Sequence, residues 1–481
     1  MKILMLILMF LYTLPFTPVF SQYKIKVKIK NLSLGDTLFL GHKFGDKIYS
    51  DDTTIVDKNG TGIFEGKNKL EGGIYVIIVP KLKNKYFELV IGDEQNFEIE
   101  TDTTDFIKNL KVKGSKENEI FISWQKKMSD FDKKIQPLSE KYKKFNKENL
   151  KDSAEYYRKK IIVLDSLRKE EWNKIINNYP NLLFSKILKM LTPIKIPDEP
   201  EFYGIDNMHP KKDSLLKIKQ YLYFKDHYWD NVDFSDERLL NTPFIEQKIK
   251  EFYKDVVITN PDSLSKEAIK LIEKARANKK FFRYVVAYSA NYFETSQIMG
   301  MDKVFVDIAE KYYLKGECWW VDSTTLNKIQ ERVIRLKPNL IGNYAPDLKM
   351  QDLDGNWHQL KYINADYIIL AFYDPDCGHC KKEIPKLHEY YKSVRDSGIV
   401  VFAVYTQQKY DEWKKFVEEH HFEWINVWDQ YNFTNFRLLY DIYSTPTIYI
   451  LDKNKKIIAK RIGVEQIPNF IRQHKKLQAN K

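Results

Sequence analysis

The sequence predicts a multidomain chain: an N-terminal antiparallel β domain, sandwich-like, then an α-helical middle region and a C-terminal α/β segment. Three observations carry this. From Tyr23 to about Thr101 the apolar residues recur with period two. From about Ser115 to Lys337 they recur every three or four positions among many charges. Beyond Pro346, short apolar runs alternate with helical patterns. With 481 residues the chain is too long for one ordinary core, so two to four domains are expected. The boundaries are placed at residues 1–21 for a leader, 22–114 for the small β domain, 115–337 for the helical domain and 338–481 for the α/β domain.

Lys2 precedes an apolar run over residues 3–16, and Val19 and Ser21 supply small residues at the −3 and −1 positions of a cleavage site. This is the pattern of a secretory signal peptide, with Gln22 as the new N-terminus. The run is too short to span a bilayer, and no Cys follows it to carry a lipid, so no stable membrane span is expected after cleavage. The expected location is the periplasm or cell envelope. A formal charge of +12 invites a nucleic-acid reading, but Lys and Arg are interleaved with acids along the chain. Export removes nucleic acid as a natural partner.

In the β domain, Tyr23-Lys-Ile-Lys-Val-Lys-Ile-Lys30 alternates strictly, as a half-buried strand does. Asn59-Gly60 signals a hairpin turn, and residues 74–79 and 87–91 read as further strands. Residues 117–178 read as two long helices whose charged stripes are solvated faces. Ile245, Ile249, Phe252 and Val256 keep helical spacing, and Asn260-Pro-Asp-Ser263 breaks before a helix from about Ser265. In the last segment, residues 367–373 and 400–405 read as buried strands, and a helix is expected near 412–420. Residues 447–451 and 457–459 form a hairpin, and a final helix covers about 466–476.

The chemistry is concentrated in Asp374-Pro-Asp-Cys-Gly-His-Cys-Lys-Lys-Glu-Ile-Pro385, between a strand and a helical pattern carried by Ile384, Leu387 and Tyr391. Residues three apart on a helix share a face, so the Cys377 and Cys380 sulfurs can meet in a disulfide. A helix start offers free N–H groups and a positive dipole end that favour a thiolate. An attacking thiolate with a resolving thiol one turn away is the minimum equipment for disulfide exchange. A static staple across so short a loop removes little chain entropy. Half a zinc site would need about two more ligands. His379, His388 and the His420-His421 pair show no matching spacing, so no metal and no cofactor are expected. The third cysteine, Cys318, reads as a buried thiol beside Trp319 and Trp320.

Residues 339–481 resemble a thioredoxin-fold domain of the TlpA/ResA-like group of exported thiol–disulfide oxidoreductases. The resemblance rests on Ala345-Pro-Asp347, Asp354-Gly355, Cys377-Gly-His-Cys380, Pro385 and Ser444-Thr-Pro-Thr447. The whole layout, with a β domain and a helical region in front, resembles exported proteins of Bacteroidetes type. The resemblance implies that Cys377 is the nucleophile and Cys380 the resolving thiol of a redox-active disulfide. It implies that Thr445-Pro446 is a cis-proline loop facing them, where an extended substrate pairs. Glu383 matches an acidic position that assists proton transfer, with a plain surface glutamate as the alternative. Reduction of protein disulfides is the implied direction, with a membrane thiol relay as electron donor.

Other features qualify this. The His379 imidazole lies between the cysteines, where it would favour the thiolate and raise the potential toward oxidase or isomerase behaviour. Asp374 and Asp376 oppose thiolate formation, unless Asp376 is the N-cap of the helix. Ala371 stands where thioredoxins carry a buried Asp, so proton handling does not transfer from them. No Pro-x-x-x-Thr-x-x-Cys pattern surrounds Cys377, which disfavours a thiol peroxidase. A different class, a cell-envelope binding protein using the pair as a redox latch, remains the alternative.

Overall fold

A computed structural model describes residues 21–206 and 210–479. The leader expected at residues 1–21 therefore lies, except for Ser21, outside the described residues. The chain divides into two compact units, one ending at Phe252 and the other beginning at Tyr253. The helical stretch is shared between them.

The first unit opens with strands β1 (Tyr23–Lys30), β2 (Thr37–Phe44), β3 (Lys47–Ile55), β4 (Thr61–Gly66), β5 (Gly73–Val79), β6 (Lys85–Ile91), β7 (Asn96–Asp102) and β8 (Lys111–Lys113). A short helix, α1 (Phe106–Asn109), precedes β8. The strands form two sheets, in the orders β4-β1-β7-β8 and β3-β2-β5-β6. The β1 alternation works as read. Ile25, Val27 and Ile29 are fully buried while the intervening lysines meet water and pair with Glu65, Glu98 and Glu100. Pairing is antiparallel except between β1 and β7, which run parallel.

The Asn59-Gly60 turn is present, but the strands it joins, β3 and β4, lie in different sheets rather than in one hairpin. Gly60 has φ +74, and a Cβ there would sit 2.4 Å from the Ile29 carbonyl oxygen. The turn therefore abuts β1, to which Gly60 is hydrogen-bonded through the Ile29 N–H. Helices α2 (Lys116–Lys147) and α3 (Lys151–Asn178) pack on each other, and α4 (Leu183–Leu191), α5 (Lys212–His227) and α6 (Phe244–Glu251) follow. Of α3, Ala154 is buried and most of the charged stripe is solvated, as expected of a polar face.

The second unit begins with α7 (Pro261–Ala275), α8 (Lys279–Glu294), α9 (Asp302–Ile308) and α10 (Ser323–Leu336). Helix α7 starts earlier than the sequence suggests. Asn260 is its N-cap, accepting from the Asp262 and Ser263 N–H groups, and Pro261 occupies the first turn, where no N–H is needed.

The α/β domain comprises β9 (Lys349–Gln351), β10 (Trp357–Gln359), β11 (Tyr367–Tyr373), α11 (Gly378–Val394), β12 (Ile399–Tyr405), α12 (Tyr410–His420) and β13 (Ile425–Trp428). It continues with α13 (Phe436–Leu439), β14 (Thr447–Asp452), β15 (Ile457–Lys460) and α14 (Ile467–Ala479). The sheet order is β10-β9-β13-β12-β11-β14-β15, with β11–β12–β13 parallel and β14 and β15 antiparallel. Strand β11 is central and buried throughout. Ile369, Ala371 and Tyr373 face a core with α11, α12 and α14, while Ile368, Leu370 and Phe372 face one with α13. A continuous apolar run is what a strand covered on both faces requires. The end of β11 delivers the chain to the start of α11, where the two cysteines stand.

Candidate active site

Cys377 is the N-cap of α11, with φ −74 and ψ 123, and Cys380 is three residues in. Asp376 is not the cap. Its carboxylate points away to Lys409 Nζ at 3.0 Å, which neutralises it, and the helix begins one residue later than that reading required. Cys377 is half-buried, Cys380 fully buried, and both are free thiols. The Cys377 thiol donates to the Thr445 carbonyl oxygen at 3.2 Å, and the Thr445–Pro446 peptide bond is cis.

The two thiols differ in acidity. Burial alone would raise Cys377, but hydrogen bonds from the Cys380 N–H, the Thr445 side chain and the His379 N–H outweigh it and hold the thiol below its ordinary value. Burial pushes Cys380 up to about 12, with the Asp374 N–H, 3.4 Å from its sulfur, giving partial relief. The sequence pattern thus brings together a thiol inclined to ionise and one that resists it.

The His379 imidazole is exposed, and what reaches the Cys377 sulfur is that residue's backbone N–H. Glu383 pairs with Lys386 at 2.7 Å and lines a cleft beside Pro446. Among the described residues, no hydrogen bond joins its carboxylate to either sulfur. The Asp374 carboxylate has a structural role. It accepts from the Asp376 N–H and from Gln407 Nε2, both at 2.9 Å, which fixes the loop carrying Cys377. Gln407 gives no sequence signal, because its partner lies across a parallel strand pair.

Beneath Cys380, Tyr373 accepts a hydrogen bond from Trp413 Nε1 at 2.8 Å, and both rings are fully buried. Cys318 is buried, and burial pushes its thiol up to about 12, which disfavours its thiolate. No group of His, Cys, Asp and Glu able to hold a metal occurs among the described residues.

Residues 341–460 match the AhpC/TSA family, while residues 23–121 and 216–339 match two domains of unknown function, DUF4369 and DUF5106. A 134-residue stretch, 27% of this chain, is 27% identical to 76% of the thiol-disulfide oxidoreductase ResA of a Bacillus cereus strain. A solved domain of a possible thiol-disulfide isomerase from Cytophaga hutchinsonii is 45% identical, covers 30% of this chain and 97% of its own, and has a TM-score of 0.29. Residues 341–460 form a thioredoxin-like domain of the thiol–disulfide oxidoreductase family. A thioredoxin-like protein from Bacteroides caccae, 22% identical, covers 59% of this chain and 99% of its own with a TM-score of 0.46. In this chain's thioredoxin-like domain, the Cys-Gly-His-Cys helix start and the cis-proline loop meet at one end of the sheet, joined by the contact between Cys377 and Thr445.

Proposed function

We propose that this oxidoreductase is exported and reduces protein disulfides through Cys377 and Cys380. The opposed acidities of two thiols one turn apart carry the reading. The Cys377 thiolate attacks one sulfur of a substrate disulfide. The S–S bond breaks, one substrate thiolate leaves with the electron pair, and a mixed disulfide joins Cys377 to the other. Cys380 gives up its proton and attacks the Cys377 sulfur. That releases the second substrate thiol and leaves a Cys377–Cys380 disulfide. The substrate has gained two electrons and the protein has lost two. A thiol donor, taken to be a membrane relay, restores the dithiol.

The high proton affinity of Cys380 requires a base in the second step, and Glu383 at the cleft edge is the proposed acceptor. Thr445 offers its carbonyl beside the reacting sulfur, where an extended substrate backbone would pair. The exposed His379 imidazole makes no hydrogen bond to sulfur, which favours reduction over oxidation. Export is supported by the leader pattern in residues 2–21. No helix among the described residues is long and apolar enough to cross a membrane.

Cys380→Ser tests the scheme. Expressed in the native envelope, it should accumulate disulfide-linked adducts on Cys377 that vanish on reduction. Recovery of partners without any covalent adduct would favour a binding protein with a redox latch instead.

A further inference from the structure

We infer that the helical segment preceding the redox domain builds a specificity wall for the redox site. The favoured substrate is then an extended polypeptide segment laid across that wall rather than a small disulfide. This rests on the exchange chemistry proposed above. A cleft of about 420 Å³ opens beside the Thr445–Pro446 bond, with Glu383 and Pro446 among its lining residues. It is also lined by Tyr443, Arg461 and Gln297, the last from the loop between α8 and α9. Thr445 receives the Cys377 thiol on its carbonyl, so the cleft begins one residue from the nucleophile's partner.

Several contacts fasten this wall. Met299, two residues beyond Gln297, packs against the core that contains Cys380. Arg332 of α10 gives its Nη1 to both oxygens of Asp441, at 3.0 and 2.9 Å, and the same carboxylate accepts from Arg461. The Asp441 side chain is wholly buried and its backbone is left-handed, with φ +51. The two guanidinium groups thus fix the turn that presents Tyr443. The guanidinium groups of Arg332 and Arg335 each lie 5.6 Å from the Tyr443 ring centroid.

Tyr443 nevertheless remains 64% exposed, two residues before Thr445. An exposed aromatic ring, braced by cations and next to a strand-pairing carbonyl, is a platform for a side chain of a bound peptide. Gln297, also exposed, donates one amide N–H to the Thr295 carbonyl at 3.2 Å and offers its amide oxygen and remaining N–H on the facing side. A small disulfide attacked at Cys377 gains nothing from either. Tyr443 and Gln297 are therefore specificity residues, and Arg332 is a positioning residue acting through Asp441.

The test uses the full chain, reduced beforehand, in single turnover. One probe is a decapeptide whose only cysteine carries thionitrobenzoate in a mixed disulfide. The other is N-acetylcysteine amide carrying the same group. Attack by Cys377 on the cysteine sulfur expels thionitrobenzoate anion, which is followed by its colour; Cys380 then releases the peptide thiol. The unaltered protein should prefer the decapeptide. Tyr443→Ala and Gln297→Ala should each lower the decapeptide-to-small ratio of rate over half-saturating concentration about tenfold. The loss should fall on half-saturation rather than on the limiting rate. Arg332→Gln should act alike, with Arg332→Lys recovering part of the loss. Should Arg332→Gln fail to fold, Gln297→Ala decides, because that side chain supports no core contact. An unchanged ratio in the Tyr443 and Gln297 variants, with thionitrobenzoate still released, overturns the inference and spares the exchange chemistry. No release from either probe overturns both.

Discussion

Selective alkylation of the reduced protein follows from the two thiol environments. At pH 8, Cys380, pushed up to about 12 by burial, is ionised to about one part in 10⁴. A thiol at the ordinary value of 9.0 would be about one-tenth ionised, and its hydrogen bonds hold Cys377 on the acidic side of that value. The thiolate populations therefore differ by more than roughly 10³ in favour of Cys377. Intrinsic nucleophilicity falls as pKa falls, with a Brønsted slope of about 0.4–0.5, and returns roughly 1.5 of those decades to Cys380. The net preference is of order 10², before the complete burial of Cys380 is counted. Iodoacetamide added for timed intervals, acid quenching and mass analysis of the cysteine-bearing peptides measure it. Cys377 should be carboxamidomethylated first by about that factor. Comparable rates at the two sites, or Cys380 reacting first, would refute the reasoning from burial and helix-start hydrogen bonds.

Glu117 is buried in the first unit, its carboxyl raised to about 7 by burial although it accepts from the Phe184 N–H. Its folded pKa exceeds its unfolded value, so its contribution is fully present below about pH 4 and is lost as pH rises through 7. Denaturant stability of that unit should fall by up to about 3 kcal/mol between pH 4 and 8, and Glu117→Gln should flatten that slope. Tyr373→Phe strands the buried Trp413 Nε1 donor and should cost about 1–3 kcal/mol in urea unfolding. Ile384→Ala, at a fully buried position on α11, should cost about 2–5 kcal/mol in the same measurement.

What the sequence makes legible depends on how local the determinant is. The alternation in Tyr23–Lys30 and the unbroken apolar run Tyr367–Tyr373 name their own environments, one half-buried and one covered on both faces. The short strands β9, β10 and β13 carry too few residues to show a period, and they owe their pairing to neighbours far along the chain. The same division holds at the site. Cys377 and Cys380 announce themselves by spacing. By contrast, Gln407, Asp441 and Arg332 act through partners 20 to 109 residues away, which no local pattern encodes. His379 is conspicuous for its imidazole, yet it contributes its peptide N–H, as many residues at that helix position could. The N-cap is Cys377 rather than Asp376, because Lys409 draws the carboxylate aside.

The reduction potential of the Cys377–Cys380 couple, by equilibration with dithiothreitol or glutathione buffers and mass detection of the two forms, tests the central claim most directly. A reductase requires a value near or below about −250 mV, in the range of thioredoxin. A value of about −180 to −120 mV, in the range of isomerases and strong oxidants, would contradict reduction as the direction of exchange.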